Sequence, residues 1–294
     1  MLPEKNAGVV IDVISTVAEM QAFADRMRRQ AKTIAFVPTM GFLHEGHLSL
    51  MRIARGKADV LVASIFVNPA QFGPGEDFDR YPRALERDLD LAEKEAVDVM
   101  FTPDRAELYP EGFETYVLLE RLPNHLCGLS RPVFFRGVAT VVTKLFHMVK
   151  PHVAVFGEKD FQQLQVVRRM VRDLNMDVEI VGGPTVREFD GLAMSSRNSY
   201  LTEGQRYSAL SLRHALDNAQ AMAEGGARSC DGIIAAARSL IEARPATDID
   251  YIRIFDPETL EDLEILDRPA RMALAVKVGT TRLIDNDFLT PGSG

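Results

Sequence analysis

TIAFVPTMGFLHEGHLSL, residues 33–50, passes from an apolar run through a glycine turn into a helical pattern. The run at 33–37 is short, apolar and stopped by Pro38, which predicts a buried strand. A helical pattern covers 48–54, and between strand and helix lie two histidines three positions apart. A strand–turn–helix of this kind is the opening unit of an α/β sheet, and its loop leaves the carboxyl end of the strand, where such sheets bind ligands.

Working outward, an apolar run at 60–67 (VLVASIFV), a charged helix at 85–96 and a strand at 97–101 follow. A helix at 137–149 then leads into a strand at 152–156, a helix at 162–174 and a strand at 178–181. Strands alternating with helices, apolar at nearly every strand position, predict an α/β fold with a parallel sheet covered on both faces. The character changes near 182–184. Helical stretches at 204–223 and 231–243, joined by the flexible 224–229 (EGGARS), precede alternating apolar runs at 249–255 and 272–278. The expected division is therefore residues 1–184 for the sheet domain and 185–294 for a smaller C-terminal α+β domain.

The net charge of −8 argues against a nonspecific nucleic-acid surface, which needs basic residues. No run reaches the ~18 apolar residues of a membrane span, and the N-terminal MLPEKNAGVV lacks a signal core. Cys127 and Cys230 form no CxxC and no zinc-type spacing, so both are expected as reduced thiols in a cytoplasmic protein. Met148, Met170 and Met176 are expected in the core, His125, His147, His152 and His214 as surface or packed histidines, and 83–95 as the solvated face of a helix.

Four loops carry chemistry. In residues 38–50, His44 and His47 can donate to phosphate oxygens, Gly46 permits close backbone approach, and the following helix points its N–H groups at an anion. The competing reading, half of a zinc site, lacks a third ligand and the HExxH spacing. In residues 157–163 (GEKDFQQ), Lys159 supplies a cation for phosphates, Asp160 an acceptor for a ribose hydroxyl or a metal, and Gln163 a neutral amide. Residues 193–198 (AMSSRN) put two hydroxyls and a guanidinium in a compact polyphosphate grip, placed to close as a lid. Residues 64–73 (SIFVNPAQFG) end a strand at Asn68, Pro69 and Gln71, with Gln71 suited to an uncharged contact. Taken alone, these residues also fit a plain nucleotidylyltransferase or a nucleotide sensor.

In this order and spacing, PTMGxLHxGH, SIFVNPxQFG, GEKDxQQ and MSSRN resemble the pantothenate synthetases. The phrases FDPETLEDLE (255–264) and TTRLIDN (280–286) extend the resemblance over nearly the whole chain. It implies a Rossmann-like nucleotidylyltransferase domain with a HIGH-type signature, a smaller C-terminal domain closing over ATP, Mg²⁺-ATP as substrate and a homodimer. The implied reaction is ATP-dependent condensation of pantoate with β-alanine through a pantoyl-adenylate, releasing pyrophosphate and AMP. By matching position, Met40, Gly41, Phe42, Leu43, His44, Glu45, Gly46 and His47 would line the ATP site. Gly157, Glu158, Lys159, Asp160, Val186, Met194, Ser195, Ser196 and Arg197 would complete it. His47, in an acid role, His44 and Lys159 would be catalytic, and Gln71 and Gln163 would hold pantoate, Gln71 also facing β-alanine. The pattern departs from the family at 131–138, RPVFFRGV, where Val133 and Phe134 stand for the usual Gly and His; a stiffer loop is expected.

Overall fold

The computed structural model describes residues 11–292, so the N-terminal decapeptide read above lies outside the described residues. In chain order the elements are β1 (Asp12–Ile14), α1 (Val17–Arg29), β2 (Ile34–Thr39), α2 (Glu45–Arg55), β3 (Val60–Ile65) and α3 (Leu85–Lys94). Then come β4 (Val99–Phe101), α4 (Arg105–Leu108), α5 (Cys127–Ser130), α6 (Phe134–Val149), β5 (Val153–Gly157), α7 (Phe161–Asp173) and β6 (Glu179–Gly183). The last six are α8 (Glu203–Ala209), α9 (Ser211–Glu224), α10 (Cys230–Glu242), β7 (Thr247–Phe255), β8 (Ala270–Val278) and β9 (Thr281–Leu289). They fall into two compact units. One comprises Met1–Leu119, Val133–Gly157 and Val166–Gly183; the other Glu120–Pro132, Glu158–Gln165 and Pro184–Gly294. Among the described residues no helix is long and apolar enough to cross a membrane.

The first unit is the parallel sheet, in the order β1-β4-β3-β2-β5-β6. From β2 the chain runs outward to β3 and β4, then returns to lay β5 on the opposite side of β2. The register Phe36↔Ala154 brings the two strand ends level, at Thr39 and Gly157. This reversal of direction is the topological switch point, where open α/β sheets leave a crevice for ligand. Side chains of Ala35, Val37, Leu61 and Val155 pack with Leu48 and Met51 of α2 beneath it.

Two expectations shift here. The strand does not stop at Val37 but continues through Pro38 to Thr39, pairing Pro38 with Ser64. Proline removes a ladder donor from a central strand, and Thr39 makes up the deficit: its Oγ1 donates to the Ser64 carbonyl at 2.7 Å and accepts from Gly41 N at 3.1 Å. The helix after the loop starts at Glu45, between the histidines, rather than at Leu48.

The second unit carries the antiparallel sheet β7-β8-β9. Leu212 and Leu216 of α9 and Ile233 and Ile241 of α10 bury against Met272, Leu274 and Leu283. The single helix expected at 204–223 is two, broken at Leu210. Ser208 Oγ donates back to Gly204 O at 3.4 Å and Ser211 Oγ to Ser208 O at 2.7 Å, the back-bonding that bends helices. Cys127 and Cys230 are both buried free thiols. Met148 and Met170 lie in the core, while Met176 is half-buried.

Candidate active site

At the end of β2 the chain turns through two left-handed residues, Gly41 (φ +80°) and Phe42 (φ +50°). A Cβ at Gly41 would lie 2.9 Å from Ile65 Cγ2, so only glycine fits without displacing β3. The turn is held by Asp88 of α3, 1 % exposed, whose two carboxylate oxygens accept from Phe42 N (2.7 Å) and Leu43 N (2.8 Å). Burial pushes the Asp88 carboxyl above its ordinary range, opposed by these two backbone donors and by Arg87. The helix at 83–95 is thus not a wholly solvated charged face: one of its carboxylates turns inward and fixes the loop.

His44 is the N-cap of α2, and Glu45, Gly46 and His47 form its first turn. His44 Nδ1 accepts from Gly46 N at 3.2 Å, and His47 Nδ1 accepts from His44 N at 3.3 Å. The rings lie 4.1 Å apart, tilted by 37°. This is a capping box built from imidazoles. An Nδ1 that accepts an N–H carries no proton, so each neutral ring is protonated on Nε2 and is a donor there.

Asn68 and Gln71, both buried, sit after β3. Asn68 Oδ1 accepts from Tyr109 OH (2.8 Å) and Ala70 N (3.3 Å), while its Nδ2 donates to Gly137 O and Gln71 Oε1, both at 3.1 Å. With Oε1 engaged, the Gln71 amide turns its Nε2 toward Met40 Sδ, 3.1 Å away. Burial holds the Tyr109 hydroxyl well above the ordinary phenol range, keeping it a donor. The α6 helix begins at Phe134 with Val133 as its N-cap, so the divergent Val-Phe pair belongs to a helix start.

In the second unit, Glu158, Lys159 and Asp160 form a 3₁₀ turn directly after β5, with Lys159 Nζ 4.0 Å from Asp160 Oδ2. Val186 and Met194 are joined by Met194 N donating to Val186 O at 3.0 Å, closing a hairpin. Ser195 caps the following 3₁₀ turn, its Oγ accepting from Arg197 N at 3.3 Å; Ser196 is buried and Arg197 half-exposed. Lys159 and Ser195 line one recess with Ala193, Asn198 and Asp285. Gln163 is half-buried on α7. Its neighbour Gln162 has a scaffolding role: Oε1 accepts from Cys127 N at 3.0 Å and Nε2 donates to Leu122 O and His125 O. Among the described residues no three His, Cys, Asp or Glu side chains gather as a metal-binding group.

The sequence model of the pantoate–β-alanine ligase family matches residues 12–288. The chain belongs to the pantoate–β-alanine ligase family. It is 58 % identical to the pantothenate synthetase of Desulfatibacillum aliphaticivorans over 281 residues, 96 % of this chain and 100 % of the relative. The crystal structure of pantothenate synthetase from Thermus thermophilus superposes with a TM-score of 0.91 at 48 % identity, covering 96 % of this chain and 100 % of that one. A pantoate–β-alanine ligase from Francisella tularensis, solved in complex with β-γ ATP and β-alanine, superposes with a TM-score of 0.79 at 32 % identity, over 94 % and 97 % of the two chains.

Within this ligase fold, sequence reading overlooked Asp88 and Tyr109. Asp88 had a legible signal: with Leu91 and Ala92 it lies on the stripe of α3 that is not fully exposed, so a carboxylate stood on an apolar face. Tyr109 had none, since it lies in a loop far in sequence from Asn68.

Proposed function

We propose that the chain performs its family's reaction, joining pantoate to β-alanine with ATP through a pantoyl-adenylate. A carboxylate is a poor acyl donor because its oxygen leaves badly. Attack of that oxygen on the α-phosphorus forms a P–O bond and expels pyrophosphate; the β-alanine amine then attacks the acyl carbon and AMP leaves. The protein's task is to orient the reactants and stabilise the charge that gathers on phosphate oxygens.

The observation that carries this reading is the paired imidazoles at the start of α2, each with Nδ1 accepting a backbone N–H, which leaves Nε2 as the nitrogen able to donate. His44 and His47 donate to phosphate oxygens, with the first-turn N–H groups of α2 favouring anion binding. Residues Met40 to His47 of the first unit, and Gly157 to Asp160, Val186 and Met194 to Arg197 further along, hold ATP, with Lys159 supplying the mobile cation. Gln71, its Nε2 facing the weak thioether acceptor of Met40, gives a hydrogen bond to a pantoate oxygen that outcompetes sulfur. Gln163 assists pantoate binding, and Gln71 also faces β-alanine. Magnesium would be carried by ATP and would neutralise phosphate charge there. Residues 1–184 are read as the nucleotide and pantoate domain and 185–294 as the smaller domain that closes over ATP. We place the protein in the cytoplasm and expect a homodimer, which sedimentation equilibrium tests.

The reaction is tested by following pyrophosphate and AMP from Mg-ATP. Pyrophosphate on adding pantoate, and AMP only when β-alanine follows, supports the two-step ligase. A folded protein that binds ATP yet yields no pantoate-dependent pyrophosphate overturns it. Lys159→Ala should slow the first half-reaction at least ~100-fold, the scale of one lost electrostatic donor; near-normal adenylate formation would remove Lys159 from the mechanism.

A further inference from the structure

The phrase TTRLIDN lies largely in β9, and the chemistry proposed for the ligase leaves it without a role. Along β9 the odd-numbered Thr281, Leu283, Asp285 and Leu289 are buried, while the even-numbered Arg282 and Ile284 are half-exposed and Phe288 is exposed. Asn286 breaks the alternation: it is an even-numbered position, yet only 4 % exposed. Its Nδ2 donates to Glu158 O at 3.1 Å and to Lys159 O at 2.8 Å. Its Oδ1 is buried without a partner among the described residues, so the side chain's hydrogen bonding consists of these two donations. Arg271 of β8 reinforces the same turn, with Nη2 3.2 Å from Glu158 Oε2 and its guanidinium over the rings of Phe161 and Phe288.

Asp285, 2 % exposed, projects from the other face of the strand, as adjacent strand residues do. It takes a two-point contact from Arg187, at 2.7 and 3.1 Å, and also accepts from Asn286 N at 2.8 Å. Arg187 belongs to the hairpin whose ends are Val186 and Met194, and its Nη1 also donates to Gly191 O within it. That hairpin delivers Ser195, Ser196 and Arg197. Two neighbouring residues of β9 therefore hold the backbone of Glu158 and Lys159 and, through Arg187, the hairpin that leads into Ser195. The recess lined by Lys159, Ser195, Asn198 and Asp285 is where the two segments meet.

We infer that Asp285 and Asn286 are positioning residues, setting the spacing between Lys159 and the Ser195–Arg197 turn so that both meet one polyphosphate. Neither touches the reacting atoms; each acts through a backbone or a guanidinium it holds. The inference rests on the proposed role of Lys159 as a phosphate cation. It has a consequence that a purely structural role lacks. Phosphate positioning matters while pyrophosphate is leaving and not once the adenylate exists, so damage should fall on one half-reaction.

The experiment compares Asn286→Ala, Asp285→Asn and Lys159→Ala with the wild-type full-length chain. Pantoate-dependent pyrophosphate release from Mg-ATP reports the first half-reaction. Pantothenate formation from supplied pantoyl-adenylate and β-alanine reports the second. Thermal melts establish the folded fraction. Asn286→Ala should slow the first half-reaction at least ~10-fold and leave the second within about twofold, and Asp285→Asn should raise the KM for ATP by a similar factor. Equal losses in both half-reactions, or none in either, overturn the inference. If Lys159→Ala is itself harmless to the first step, the Lys159 reading fails; if it is damaging while Asn286→Ala is not, only the positioning role fails. Should Asn286→Ala not fold, Asn286→Ser retains a small donor, and the same selective loss is expected of it.

Discussion

Replacing Gly137 by alanine tests whether the Gln71 amide, proposed above to hold pantoate, is placed by helix contact. A Cβ at this position would lie 2.3 Å from Ala70 O, 2.5 Å from Ala70 C and 2.6 Å from Gln71 Cα. All three are backbone atoms, so no rotamer relieves the contact. Helix α6 and the turn at Pro69–Gln71 must separate by roughly 1 Å to restore an ordinary contact. That opening stretches the 3.1 Å bond from Asn68 Nδ2 to Gly137 O beyond hydrogen-bond range and carries Gln71 with it. Overpacking costs about 1–3 kcal/mol, and alanine in a helix recovers about 1 kcal/mol over glycine, so the variant should lose roughly 0–2 kcal/mol and still fold. A misplacement of about 1 Å at a substrate contact is worth on the order of 10²-fold in rate. Pantoate-dependent pyrophosphate release at saturating ATP should therefore show kcat/KM for pantoate lowered ~30–100-fold, with the KM for ATP within about twofold. A folded variant with wild-type kcat/KM for pantoate would refute the reasoning.

Asp88→Ala leaves the N–H groups of Phe42 and Leu43 without their acceptor; a loss of about 2 kcal/mol is expected in a denaturant melt, since release of a buried charge offsets part of the two bonds. ATP affinity measured by titration should fall at least ~10-fold, and a dissociation constant within about twofold of wild type would mean the loop keeps its shape unaided. His152 Nδ1 accepts from Ile34 N at 2.9 Å, and burial is the largest cause holding its pKa below the ordinary histidine value. Above about pH 6.5 both folded and unfolded chains carry it neutral, so its contribution is constant. As pH falls below about 6.5 the unfolded chain takes up a proton that the folded chain refuses, so stability declines, with solvent screening keeping the slope below about 1 kcal/mol per pH unit. His152→Asn retains an acceptor and removes the titration; melting curves between about pH 5 and 7 should show a shallower pH dependence than wild type, and identical slopes would sink the assignment.

The α/β alternation was legible because a parallel sheet buries its strands on both faces, leaving apolar runs such as 60–67 bounded by loops. The loops bearing histidines, Gln71 and Lys159 were legible because strand ends dictate where ligands meet such a sheet. Boundaries were less so. Pro38 reads as a stop, yet β2 continues, because the Thr39 hydroxyl bonds the neighbouring strand and Thr39 O accepts from Phe66 N. The break at Leu210 depends on serines that choose backbone carbonyls over solvent, a choice that periodicity does not encode. The supports of the site were least visible, because Asn68 with Gly137 and Lys159 with Asn286 are distant in sequence and meet only through the fold.

The imidazole capping box makes a further prediction about the histidines themselves. A doubly protonated ring would need a proton on Nδ1, where His44 and His47 each receive a backbone N–H. The cap therefore favours the tautomer whose proton is on Nε2. An Nε2–H donor stabilises negative charge at short range without itself being a fixed cation. In ¹⁵N-histidine-labelled protein at neutral pH, both residues should show the shift pattern of the Nε2–H tautomer, with Nδ1 unprotonated. Assigning each through His44→Asn and His47→Asn keeps an acceptor at the cap position and so preserves the helix start. If either ring instead carries its proton on Nδ1, the capping geometry is not the one that holds in solution, and the histidines must act as acceptors toward ATP rather than donors.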